Sequence, residues 1–127
     1  MHCLTLLAAL LLATNACAEE RIRHPVQLEY IHGEGTRVCP PQSALHHMIT
    51  SRMPEDPFVP SALSKARVLI LRVGSAFQAS YELLNDAEEW VGGFTLERRD
   101  DCINALEDVG ISISAHMPAA QQVLCST

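Results

Sequence analysis

No Cys-x-x-Cys spacing occurs among the five cysteines, which excludes a thioredoxin-type redox motif and a zinc ribbon. Basic residues are scarce and dispersed. Lys and Arg number 9 against 15 acids, for a net charge of -6, and Arg98-Arg99 is followed at once by Asp100-Asp101. A nucleic-acid partner is therefore not expected. Neither Gly33-x-Gly35 nor Gly92-Gly93 opens a P-loop or a dinucleotide fingerprint. Gly74-Ser75 lacks the second glycine of a nucleophile elbow and reads as a turn. Aromatic residues are few as well, with one Trp, two Tyr and three Phe, so the rings are expected inside the core rather than on a binding platform.

What the chain does contain is a β-meander over residues 67–97. Val68, Ile70 and Arg72 alternate with Leu69, Leu71 and Val73, and Phe77, Ala79, Tyr81 and Leu83 alternate with Gln78, Ser80, Glu82 and Leu84. Trp90, Gly92, Phe94 and Leu96 form a third stripe. Gly74-Ser75 suits a tight hairpin, and Asn85-Asp86 carries turn chemistry. Gly92-Gly93 weakens the third strand and marks a bulge or the close passage of another element, with a crossing helix as the plainer expectation.

Residues 4–13 are apolar apart from Thr5, and Ala16-Cys17-Ala18 gives a small-x-small pattern. Residues 1–18 are expected to be a signal peptide, too short to span a bilayer. No Lys or Arg precedes the run, so its positive charge comes from the amino terminus and His2. The alternative is lipidation at Cys17, although Thr14-Asn15-Ala16 lacks the usual Leu. Both readings put the mature chain outside the cytoplasm, secreted or periplasmic in one and lipid-anchored to the envelope in the other. Membrane contact is expected only for the lipidated form.

The 127 residues, 48% hydrophobic, suit one domain over residues 19–118 with a flexible tail at 119–127. Val26, Leu28 and Tyr30 alternate with Gln27, Glu29 and Ile31 as a first strand. Pro41 leads into a helix with Leu45, Met48, Ile49 and Met53 on one stripe, and Pro54 ends it. After the meander, Asp100 or Asp101 caps a helix lined by Ile103, Leu106, Gly110, Ile113 and Met117, with Ala105 and Val109 beside them, stopped by Pro118. Residues 109–115 also alternate as a strand would, and the capped start decides for helix. The fold class is α+β: a four-stranded sheet in the order strand, helix, three-strand meander, helix, with both helices on one face.

Cys39, Cys102 and Cys125 remain after cleavage, enough for one disulfide in any of three pairings. Cys39-Pro40 before a helix, Asp56-Pro57-Phe58, a meander, and Cys102 opening an apolar helix that ends near Pro118 together resemble a family of exported deltaproteobacterial, myxobacterial-type domains of unknown function. The resemblance spans residues 26–118 and implies the Cys39 to Cys102 pairing, which leaves Cys125 as a free or intermolecular thiol. The family's Arg-Leu pair before Asp-Pro-Phe is replaced here by Arg52-Met53-Pro54-Glu55. Its glycine-containing last turn is replaced by Asn85-Asp86-Ala87-Glu88-Glu89. No catalytic residues come with the resemblance.

Adjacent His46 and His47 diverge on a helix and cannot share one ion. His32 and Glu34 offer two ligands, short of a metal site. Asp86, Glu88 and Glu89 lie in a turn and Asp100-Asp101 at a helix start, where acids serve structure. No catalytic residue, metal or cofactor is therefore expected. The functional expectation is a non-catalytic interaction or binding module of the bacterial envelope or extracellular space, docking a protein partner through a helix-free sheet face or an edge strand. Its oligomeric state is left open. The alternative is a small exported metal-dependent hydrolase using His32 and Glu34.

Overall fold

Alternating side chains with glycine-marked turns build most of the sheet, and a computed structural model of the chain describes residues 24–125, with side chains through Met117. The expected signal peptide at 1–18, the lipidation site at Cys17 and the thiol of Cys125 lie outside the described residues and side chains. The elements run β1 (Gln27–His32), α1 (Gln42–Thr50), β2 (Lys65–Val73), β3 (Ala76–Leu84), β4 (Trp90–Thr95) and α2 (Cys102–Cys125). The four strands lie in chain order, with β1 parallel to β2 and the rest antiparallel. The α+β class, the β1-α1-β2 crossover and the meander are as the sequence predicts.

Gly74-Ser75 makes the β2-β3 hairpin, with Val73 opposite Ala76 and Gly74 at a φ of 63°. Only the first central residue needs a positive φ, which fits a II′ turn. Asn85 holds the β3-β4 loop. Its buried side-chain oxygen accepts from the backbone N–H groups of Ala87 and Glu89, both at 3.0 Å.

One sheet face carries Leu28, Ala66 and Leu83 in one row and Val68 and Tyr81 in the next, all buried under the two helices. α1 contributes Leu45 and Ile49 to this core. α2 contributes Ala105, Leu106, Val109, Ile113 and Met117 at helical spacing. Asp101 caps α2, its Oδ1 accepting from the Asn104 N–H at 3.1 Å. At Gly110 the helices touch so closely that an added Cβ would lie 2.9 Å from the Met48 carbonyl oxygen. Cys39 and Cys102 are bonded, with Cα atoms 5.4 Å apart, so the bridge ties the segment before α1 to the first residue of α2. Such a bond is compatible with an oxidising compartment outside the cytoplasm.

Four expectations need correction. Ile103 is exposed, because the stripe is centred one position further round, on Ala105 and Val109. Met53 packs on the core from beyond α1, which has already ended at Thr50. Pro118 does not stop α2, whose helical backbone continues to Cys125, carried on by strong helix formers such as Ala119 and Ala120.

The fourth correction concerns Trp90 and Phe94, expected together on one buried stripe. The register slips between Leu83 and Leu84: Leu83 pairs with Gly92, but Leu84 pairs with Trp90, and Val91 is the extra residue. The bulge turns Trp90 to the face opposite Phe94. Trp90 is 63% exposed, and Phe94, on the helix side at the sheet edge, is 52% exposed. The glycine pair thus marks a bulge, and the close neighbour of Gly93 is strand β3, not a helix.

Candidate functional site

The sheet face away from the helices has no element of the described residues over it. Cross-strand register lays it out in rows: Gln27, Lys65, Leu84 and Trp90; Glu29, Arg67, Glu82 and Gly93; Ile31, Leu69, Ser80 and Thr95. Residues directly opposite share a face and interact. In the middle row Arg67 Nε donates to Glu29 Oε2 at 2.8 Å and Nη1 donates to Glu82 Oε1 at 2.9 Å, while Lys65 Nζ stands 3.4 Å from Glu29 Oε1. Four formal charges cancel within this patch of an otherwise acidic chain.

The Arg67 hydrogen bond holds the Glu29 carboxyl below its ordinary value of 4.5. The carboxylates in turn raise Arg67, Glu29 more than Glu82. A depressed folded-state pKa gives stability that is present above the unfolded value and lost as pH falls through the folded one. Glu29→Gln is therefore expected to flatten the acid limb of stability against pH, below about pH 5, by at most about one proton's worth of slope. Urea titrations at stepped pH read this directly, and an unchanged slope refutes it.

Beside the charged row lies a groove of about 400 Å³ lined by Ile31, Leu69, Glu82, Trp90, Gly93 and Thr95, among others. Gly93 leaves the floor bare opposite Glu82. Ile31, Leu71 and Trp90 are all exposed on this face.

A second groove, about 560 Å³, follows β1 on its free edge and is lined by residues 27–31, Gln42, His46 and residues 58–60. Here His46 Nε2 meets Asp56 Oδ2 at 2.7 Å, and its ring stands edge-on to Phe58 at 5.3 Å. His46 is thus engaged with the Asp-Pro-Phe segment, and of this adjacent pair His47 stays exposed on the helix.

Tyr30, on the helix side of β1, buries its hydroxyl without a hydrogen-bond partner, and this desolvation pushes its pKa up to about 12 from 10.0. A raised folded-state pKa means stability that is complete below pH 10 and lost as pH rises through about 12. Tyr30→Phe removes an unsatisfied group and keeps the ring. It is expected to leave stability at neutral pH unchanged or raised by up to about 1 kcal/mol, and to reduce the alkaline loss. A clear drop in melting temperature at neutral pH counts against this.

Three further histidines make polar contacts among the described residues. His24 Nε2 lies 2.9 Å from Ser64 Oγ and 3.6 Å from Asp86 Oδ1, and the Ser64 hydroxyl donates to Asp86. The residue types are those of a hydrolase triad, yet serine sits in the middle, its proton is committed to the carboxylate, and it is fully buried. A nucleophile needs the histidine between serine and acid and an open path to substrate. This cluster does neither and instead pins the start of β1 to β2 and the β3-β4 loop. Sequence reasoning missed it because its members are distant in the chain.

His116 Nδ1 approaches Tyr81 OH at 3.3 Å, and Ser112 Oγ lies 2.7 Å from the same hydroxyl, fastening α2 to β3. His32 Nδ1 lies 3.3 Å from the Thr36 carbonyl oxygen. Among the described residues no three His, Cys, Asp or Glu side chains come together around a point where an ion could sit, His32 and Glu34 included. Nor is any helix among those residues long and apolar enough to cross a membrane. No protein-family model, curated protein or solved structure matches this chain.

Proposed function

We propose that this chain is a non-catalytic binding module of the bacterial envelope or extracellular space, which docks a protein partner on its helix-free sheet face. The observation that carries this is Trp90, 63% exposed and turned onto that face by a bulge. Bulges re-aim side chains at functional positions, and a tryptophan on a surface is the residue type most often found at the energetic centre of an interface. Ile31 and Leu71 extend the apolar patch. The neutral Lys65-Glu29-Arg67-Glu82 ladder gives the partner paired donors and acceptors without a net field. The export pattern of residues 1–18 and the disulfide support the compartment.

Photo-crosslinking in the organism of origin tests this reading. A benzophenone amino acid at Ile31 or Leu69 is expected to give a discrete protein adduct that Glu107, on the outer side of α2, does not give. Trp90→Ala is expected to reduce the adduct at least about fivefold. Identical adduct patterns at all three positions overturn it.

A further inference from the structure

The outer edge of β1 already pairs with an extended chain for one rung, and that pairing is cut short. Gln27 and Gly33 direct their N–H groups to β2, bonding Ser64 O at 2.9 Å and Ile70 O at 2.9 Å. Backbone groups alternate sides along a strand of a parallel pair, so Val26, Leu28, Tyr30 and His32 direct theirs outward. Val26 uses both of its groups. Its N–H donates to Pro57 O at 3.0 Å, and its carbonyl accepts from the Val59 N–H at 2.9 Å, a parallel bridge to Phe58.

The same register would next set residue 61 to donate to the Leu28 carbonyl. Pro60 turns the chain away first, and the Ala62 N–H goes to the Gln27 side chain instead. The amide of Gln42 then substitutes for the missing strand, its Nε2 donating to the Leu28 carbonyl at 3.0 Å. Beyond it, the outward N–H and C=O of Tyr30 and His32 bond to none of the described residues. Alongside runs the groove of about 560 Å³, walled by α1 through Gln42 and His46 and closed at one end by Phe58 and Pro60.

We infer that this groove is a peptide site. An extended segment of a partner protein, about five residues long, lies between β1 and α1 and adds a strand to the sheet through main-chain bonds to Tyr30 and His32. It displaces or shares the Gln42 amide. The occupant is a strand because the edge offers an unfilled ladder in continuation of one already begun at Val26. A helix or a small ligand would leave those groups unpaired. The groove meets the Trp90 face at Ile31, which lines both, but its ladder groups belong to the β1 edge and Trp90 does not line it, so the two readings are tested apart.

The experiment selects end-blocked heptapeptides on the full disulfide-bonded chain, then measures binding by fluorescence anisotropy. Main-chain recognition predicts that N-methylation of the peptide weakens binding at least about tenfold at alternate positions and little at those between. On the protein, His32→Pro deletes an outward donor without touching the β1-β2 ladder and is expected to weaken binding to the same degree, while His32→Ala retains it. Trp90→Ala is expected to leave affinity within about twofold.

Any of four outcomes overturns the inference. They are the absence of any peptide binding tighter than about 1 mM, indifference to N-methylation, loss of binding in Trp90→Ala, and concentration-dependent dimerisation that His32→Pro abolishes in peptide-free protein. The last would make a second copy the occupant. Because N-methylation is carried by the peptide, the test holds even if His32→Pro does not fold.

Discussion

Replacing both Cys39 and Cys102 by Ala is expected to lower the unfolding free energy by about 4 kcal/mol. The bond closes a loop between residues 63 apart in sequence. In the chain-entropy model that removes enough freedom from the unfolded chain to account for the figure. Both cysteines are buried, so the small cavities left by the paired change add to the loss. A domain of this size has roughly 5–15 kcal/mol in hand, so the variant is expected to stay folded in the cold and melt far earlier. Urea titration of oxidised wild type against the double variant is the measurement. A difference under about 1 kcal/mol would mean that the unfolded chain already holds the two segments close. The single variants carry a buried free thiol and serve as controls for packing.

The bond matters here because of what it joins. Cys39 lies just before α1, while Cys102 opens α2 under the Asp101 cap. The two helices then meet at Gly110 and Met48. Without the tie, α1 keeps only a short helix with a proline at its N-cap and no side-chain cap bond. The loss is therefore expected first in α1 and in the β1-side groove that it walls, with the meander following later.

Much of this could be read from the chain in advance, and the reasons are specific. The period of two in β2 and β3 and the Gly74 turn between them define not only the strands but their register. Counting back six residues on each side of the hairpin from Val73 and Ala76 sets Arg67 opposite Glu82. The third member, Glu29, comes from a parallel strand across a helical crossover, where no turn counts the register, so the full ladder was hidden. The strand begun by residues 57–59 was hidden differently. Two prolines gave it loop composition, yet Pro57 contributes only its carbonyl, and Val59 supplies the donor. The position of Trp90 turned on one inserted residue. Strict alternation places it with Phe94, and a single bulge reverses it. The paired glycines were the available signal, read as the passage of a helix.

Gly93→Ala is the second large effect expected, and it bears on the proposed docking face. Gly93 has a φ of 151°, and a Cβ there would stand 2.3 Å from the Tyr81 carbonyl oxygen and 2.9 Å from Glu82 Cα. Both neighbours are backbone of β3, so neither can swing aside. Conformational strain of about 1–3 kcal/mol and overpacking of about 1–3 kcal/mol together give a loss of roughly 2–6 kcal/mol. Gly92→Ala, one residue earlier, meets only the Leu83 side chain at an ordinary 3.6 Å and is expected to cost well under half as much.

Because β4 is an edge strand, the damage at Gly93 can be local. Release of β4 would take Trp90 from its pairing with Leu84 and from the groove it lines, while the disulfide-tied core persists. Hydrogen exchange should then show loss of protection at Gly92, Phe94 and Leu96, whose partners are Leu83, Tyr81 and Ala79, with β2 unchanged. The docking reading requires that the crosslinked adduct disappear in Gly93→Ala and survive in Gly92→Ala. If both variants keep it, the partner does not depend on the bulged strand, and Trp90 is not its anchor.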